Sequence, residues 1–241
     1  MKIPEWVGKV YSRLYSELRS GEFTFEEAAD IVGVGGQRLR TLLSAMKRSG
    51  LLEVLGRRGY KRVYRVADPA EVTLLSGKGI DLGCLPEHVR AVVRSYLRGV
   101  FEKFHGRIIS VVLYGSFARG DYGPESDVDL LFVIEGYERS EGLGVKEADE
   151  LTYKIWKLRG EYHKVLPYPL TPEQARYHRP LYLDMTEDSI LLYDEDGFMK
   201  GVLDEVRSRL RRSGAERREL LNGSWYWVLK PDVKPGEVVE I

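Results

Sequence analysis

The sequence is poor in the features that would tie it to a membrane, a disulfide scaffold or a metal-stapled fold. Of its 241 residues one is cysteine, Cys84, so no internal disulfide can form. Four histidines occur, none in a His-x-x-His spacing and none beside a cysteine pair. No zinc motif is therefore expected, and His88, His105 and His178 read as packing or surface residues. The longest apolar runs, Ile108 to Tyr114 and Val128 to Ile134, are far shorter than the ~20 residues that cross a bilayer. The opening MKIPEWVGKVYSRLYSEL lacks a continuous apolar core and a small-residue cleavage site, which predicts a cytoplasmic protein. Net charge is also missing, with 37 basic residues against 37 acidic. What is present, 43% hydrophobic and 31% charged residues, is the composition of a globular protein long enough for two units.

The balance of charge is not local. Residues 1 to 66 hold 13 Lys/Arg and 7 Asp/Glu, a net of +6, and the remainder carries the compensating −6. Arg38 to Arg65 alone has nine basic residues and one acidic residue, Glu53, a patch suited to a polyanion. In the same region Val7, Val10, Tyr11, Leu14, Tyr15 and Leu18 recur at helical spacing. Thr24 with Glu27 forms a capping box opening a short helix to Val32, and Gly33, Gly35 and Gly36 turn the chain. Leu39, Leu42, Leu43 and Met46 then mark a third helix. Two alternating runs in Leu51 to Val66 flank Gly56-Arg57-Arg58-Gly59, which predicts a hairpin with its tip there. This order resembles winged helix-turn-helix domains, over residues 1–67. The resemblance implies that Gln37, Arg38, Arg40, Thr41 and Ser44 meet duplex DNA, with Arg57 and Arg58 on flanking phosphates. Binding of protein instead, or packing on a neighbour, is the competing expectation.

Residues 68–85 are rich in glycine and read as a linker. Pro86 then opens an amphipathic helix through Val89, Val92, Val93, Tyr96, Leu97, Val100, Phe101 and Phe104. The β-branched run Ile108 to Tyr114 leads straight into Gly115-Ser116-Phe117-Ala118-Arg119-Gly120. A second strand follows from Ser126-Asp127-Val128-Asp129, with both carboxylates on one face by alternation. Glycine at such a bend lets backbone approach a triphosphate, and the serine offers a hydroxyl and an N–H. Two carboxylates this close repel unless a divalent cation lies between them.

Gly115-Ser116-x-Ala118-Arg119-Gly120 followed by Ser126-Asp127-x-Asp129-Leu130 resembles the signature of the DNA polymerase β-like nucleotidyltransferases, especially the archaeal minimal type. The resemblance implies an α/β (α+β) core with a mixed β-sheet over residues 86–196. It also implies an NTP, ATP by expectation, held by Gly115, Ser116, Arg119 and Ser126, and two Mg²⁺ ions, replaceable by Mn²⁺, held by Asp127 and Asp129. Transfer of a nucleoside monophosphate to a hydroxyl with release of pyrophosphate would follow. A third catalytic and metal-binding carboxylate is normal in that family. Glu161 is the candidate, in a strand predicted from Glu161 to Leu166 and ended by Pro167; Asp184 and Asp188 are the reserves. Minimal relatives often modify or bind a HEPN-type protein, which makes such a partner an expectation. The alternative is a DNA-binding regulator whose transferase domain senses nucleotide with weak catalysis.

Residues 197–241 read as a C-terminal helix followed by an aromatic tail. Phe198, Val202, Val206 and Leu210 define the helix, stopped at Ser213 and Gly214. In the tail, Trp225 and Trp227 share a strand face, and packing on the core is favoured over closure on a nucleotide.

Overall fold

In a computed structural model, the protein is described over residues 4–221 and 223–234. The expectations for Asn222 and for Pro235 to Ile241 lie outside those residues. In chain order the elements are α1 (Glu5–Leu18), β1 (Glu22–Phe23), α2 (Phe25–Val32), α3 (Gly36–Arg48), β2 (Leu52–Arg58) and β3 (Lys61–Val66). Next come α4 (Pro69–Lys78), α5 (Glu87–Lys103), β4 (Ile108–Tyr114), α6 (Gly115–Arg119), β5 (Val128–Ile134), α7 (Lys146–Arg159) and β6 (Val165–Leu170). The chain continues through α8 (Pro172–Arg176), α9 (Pro180–Asp188), β7 (Ile190–Asp194), α10 (Phe198–Ser213), β8 (Glu216–Glu219) and β9 (Trp225–Val228).

These elements gather into two compact units, each built from three separate stretches of chain. One unit takes Met1–Gly106, Asp121–Val128 and Leu143–Leu166; the other takes Arg107–Gly120, Asp129–Gly142 and Pro167–Ile241.

The first unit begins with three helices and an antiparallel sheet in the order β1-β3-β2. Val7, Leu14, Phe23, Leu39, Leu43, Met46 and Leu51 fill the space between them, each burial contributing about 1.5–3 kcal/mol. The capping box at α2 is present: the Glu27 N–H donates to Thr24 Oγ1, and the Thr24 N–H donates back to Glu27 Oε2. The hairpin tip lies later than Gly56-Arg57-Arg58-Gly59 predicts. Arg58 pairs with Lys61, so Gly59 and Tyr60 make the turn, and Gly56 sits inside β2 at an irregularity in the register. Its lack of a side chain serves packing instead, because a Cβ there would come within 2.8 Å of Leu158 Cβ on α7. Residues 68–85 likewise contain a helix rather than irregular chain only. Asp68 caps α4 by accepting the Ala70 N–H, with Pro69 at the first helical position.

The second unit holds a four-stranded sheet in the order β6-β5-β4-β7. β4 runs antiparallel to both β5 and β7. The Val128 N–H donates to the Lys164 carbonyl at 2.8 Å, joining the starts of β5 and β6, so those two run the same way. The sheet is thus mixed, as expected for an α/β core. Val112, Leu131 and Val133 pack with Tyr182, Met185, Met199, Leu203 and Val206 from α9 and α10. Asp194 anchors the start of α10, accepting the N–H groups of Met199 and Lys200 at 2.9 Å each. No described helix is long and apolar enough to cross a membrane.

Candidate functional site

The register of β4 on β5 sets Tyr114 opposite Asp129. One residue on, Gly115 turns the chain at φ +72° into the short helix α6. An ideal Cβ at this position would stand 2.2 Å from Asp129 Oδ2, so only glycine leaves the carboxylate where it is. Burial pushes the Tyr114 phenol up to about 12, and the neighbouring charge of Asp129 adds to the shift. Ser116 and Arg119 follow on α6, both half-buried. Burial alternates along the start of β5: Asp127 is half-exposed, Val128 buried, Asp129 half-exposed and Leu130 buried. The Ser126 hydroxyl accepts the Gly123 N–H at 2.8 Å, closing the turn just before Asp127.

Arg119 is held by the C-terminal hairpin of β8 and β9. Its guanidinium lies 4.8 Å from the centre of the Trp225 ring, and that of Arg217 lies 4.1 Å from the same centre. The indole N–H groups of Trp225 and Trp227 both donate to Asp184 Oδ1, at 2.9 Å each. Trp227 also packs against the core of the second unit. Asp184 serves as their shared acceptor, and Asp188 pairs with Arg217 at 2.5 Å, so both reserve carboxylates already have structural partners.

Glu161 does not lie in a strand. β6 begins at Val165 and runs through Pro167 and Pro169, which an edge strand tolerates on its unpaired side. Glu161 instead closes on two imidazoles. Its Oε2 lies 2.9 Å from His88 Nε2 and 3.6 Å from His163 Nε2, while Oε1 takes a hydrogen bond from Arg159 at 3.0 Å. Burial works against its charge, but the hydrogen bond and positive charge of Arg159 outweigh this and hold the carboxyl below its ordinary value. Ligand atoms of His88, Glu161 and His163 all lie within 4.8 Å of one another, a set that does not include Asp127. Nothing in the sequence singles out His88 for this cluster. Its place in the first turn of α5 carries no local signal connecting it to residues so much later in the chain.

On α3, Gln37, Arg38, Arg40, Thr41 and Ser44 are all exposed, as are Arg57 and Arg58 on the hairpin. Some have internal engagements. Arg58 pairs with Glu22 at 3.1 Å, Arg40 lies 5.8 Å from the centre of the Phe25 ring, and Ser44 Oγ accepts from Arg48.

Residues 94–184 match the nucleotidyltransferase domain family. Among similar proteins of Methanocaldococcus jannaschii, one provisionally named a protein adenylyltransferase is 44% identical over 41 residues, covering 17% of this chain and 41% of its own length. A second of the same provisional name is 24% identical over 123 residues, covering 50% of this chain and 82% of its own. The chain thus spans less than half of the first of these relatives. A solved toxin–antitoxin structure with AMP-PNP is 12% identical, covers 49% of this chain and 90% of its own, and superposes with a TM-score of 0.29, too low for any inference.

Proposed function

We propose that the protein transfers a nucleoside monophosphate, AMP from ATP, to a hydroxyl acceptor and releases pyrophosphate. The observation that carries this reading is the seating of Asp129 against Gly115, where a missing Cβ leaves room for the carboxylate at the head of α6. It brings one acid of the Asp127-x-Asp129 pair beside the Gly115-Ser116 bend.

Divalent magnesium, with manganese as substitute, fits this donor set. Carboxylate oxygens are the hard ligands such ions take, and the half-exposed setting leaves positions open for phosphate oxygens. Asp127 and Asp129 would hold two such ions, which when bound neutralise phosphate charge and lower the pKa of the acceptor hydroxyl. Ser116 offers its hydroxyl and N–H to phosphate oxygens, and Arg119, braced on Trp225, offers a guanidinium. Ser126 shapes the turn before Asp127 and can still donate its own O–H to a phosphate. In the transfer the acceptor oxygen bonds to the α-phosphorus, the bond to the β-phosphate oxygen breaks, and the hydroxyl proton is lost. The residues contribute by orienting the triphosphate for in-line attack, and no covalent enzyme intermediate is required. Glu161 stands outside this assignment because Arg159 and two imidazoles already engage it. The names of the M. jannaschii relatives support adenylyl as the group and protein as the acceptor.

The test is incubation with each α-labelled NTP and Mg²⁺ or Mn²⁺, with and without cell extract. Label from ATP is expected on a macromolecule or on the protein itself, and chelation is expected to abolish it. Absence of transfer from every NTP under both metals would overturn the reading.

A second reading, not exclusive of the first, rests on the exposed face of α3. We propose that residues 1–67 form a winged helix-turn-helix module that docks Gln37, Arg38, Arg40, Thr41 and Ser44 on duplex DNA. The element order from α1 to β3 supports it, as does the basic excess of Arg38 to Arg65. Duplex binding should weaken steeply with salt, and Arg38→Ala or Arg57→Ala should each reduce the log–log salt slope by about 1. Binding that ignores salt, or these variants, would remove the DNA assignment. Were duplex bound while no NTP is transferred, the protein would be a regulator with a nucleotide-sensing domain.

A further inference from the structure

The three side chains that converge at His88 have no part in nucleotide transfer as assigned above. His88 and His163 are 6% and 3% exposed, so two imidazoles are buried against one carboxylate. Their orientation is not left to chance. His163 Nδ1 lies 2.7 Å from the Ser126 carbonyl, an acceptor that requires the proton on Nδ1 and leaves a lone pair on Nε2, the atom facing Glu161. His88 Nε2 is buried without a hydrogen bond, although Glu161 Oε2 stands 2.9 Å away. A buried imidazole nitrogen left so is costly for a site with nothing to bind.

We propose that His88, His163 and Glu161 form a site for one transition-metal ion of the zinc class, separate in residues and in donor chemistry from Asp127 and Asp129. In a tetrahedral site with ligand bonds of ~2.0 Å, donor atoms stand roughly 3.3 Å apart, and the two Nε2–Oε2 separations of 2.9 and 3.6 Å bracket that spacing. Two imidazoles and a carboxylate suit zinc, cobalt or nickel, and magnesium poorly. Three protein ligands leave a fourth position for water. The surroundings supply the outer contacts such sites use: the Ser126 carbonyl orients one imidazole, and Arg159 binds the Oε1 that faces away. The Arg159 charge repels a cation and weakens the site without removing a ligand. Because His163 grips the carbonyl of Ser126, an ion here would also stiffen the turn that delivers Asp127.

The experiment uses the full chain, stripped with chelator and titrated with Co²⁺ in excess Mg²⁺, which saturates oxygen-only sites. We expect one equivalent of Co²⁺ per chain with the visible absorption of an imidazole-ligated, four- or five-coordinate ion, displaced by Zn²⁺. His88→Gln and Glu161→Gln should each weaken binding at least ~10-fold. The double variant Asp127→Asn/Asp129→Asn should keep the band unchanged. A wild-type chain without the band, or a band that survives Glu161→Gln or disappears with Asp127→Asn/Asp129→Asn, overturns the proposal. Should buried His88→Gln fail to fold, the half-exposed Glu161→Gln decides the matter alone. None of these readouts depends on nucleotide transfer.

Discussion

Replacing Gly115 by alanine is expected to slow nucleotide transfer by ~10²-fold or more while leaving the protein folded. Two effects combine at this position. A residue with a Cβ at φ +72° costs about 1–2 kcal/mol in the left-handed region, which in a chain of this size lowers the melting temperature by roughly 2–8 °C. The second effect is the larger for function. The new methyl would occupy a point 2.2 Å from Asp129 Oδ2, the far end of a side chain that can turn about its χ angles. Asp129 must rotate away. A displacement of this size in a group that positions the reaction lowers the rate by ~10²-fold or more. If the effect passes through Asp129, Gly115→Ala and Asp129→Asn should not add, so the double variant should be no slower than Asp129→Asn alone. Label transfer at saturating ATP measures this, with circular dichroism to confirm folding. A Gly115→Ala enzyme within about threefold of wild type would show that the contact does not position the acid.

The largest loss of stability is expected from Arg65→Met. Arg65 is buried and bridges two buried carboxylates, Glu53 at 2.8 Å and Glu71 at 2.7 Å, while Arg94 stands 3.4 Å from the other oxygen of Glu53. Burial acts against the guanidinium charge, but the two carboxylates outweigh it and hold the Arg65 pKa above the ordinary arginine value. Burial likewise pushes the Glu53 carboxyl up against the pull of Arg65 and Arg94. With guanidinium at 2.8 Å, the charged form of Glu53 fits the geometry. Removing one partner from such a group leaves uncompensated buried charge and costs about 3–5 kcal/mol. For a protein of this length the melting temperature should fall by roughly 6–20 °C. Adding Glu53→Leu and Glu71→Leu to Arg65→Met should recover most of the loss, since an apolar replacement of a whole buried cluster is often neutral. A loss under about 1 kcal/mol for the single variant would mean that water reaches the cluster.

The parts of this protein that can be read from sequence are those governed by neighbours in the chain. The capping box of Thr24 and Glu27, the left-handed glycine ending α10 and the alternation at Asp127 and Asp129 depend on residues a few positions apart. The meeting of Gly115 with Asp129 also follows, because a strand, a tight bend and an antiparallel return bring those two positions together. Prolines misled at β6: a proline ends a central strand, yet Pro167 and Pro169 lie in an edge strand where half the backbone groups need no partner. Gly56 misled in the opposite way, since a glycine needed for close packing on α7 looks in sequence like a turn. The roles of Asp184 under two tryptophans and of His88 beside Glu161 come from contacts between distant segments. No spacing rule encodes them.

The interleaving of the two units bears on how the protein can be dissected. A fragment starting at residue 86, chosen to isolate the motif-bearing half, would keep Asp121–Val128 and Leu143–Leu166 but discard the first 85 residues of the unit to which they belong. Leu158 would lose the backbone of Gly56 that lies against it, and Glu53 and the Gly50 carbonyl would be gone from beside Arg94. Such a truncation bares greasy helix surface and strands a lone guanidinium, so it courts precipitation. A parts list drawn along the chain is thus a poor cutting guide here.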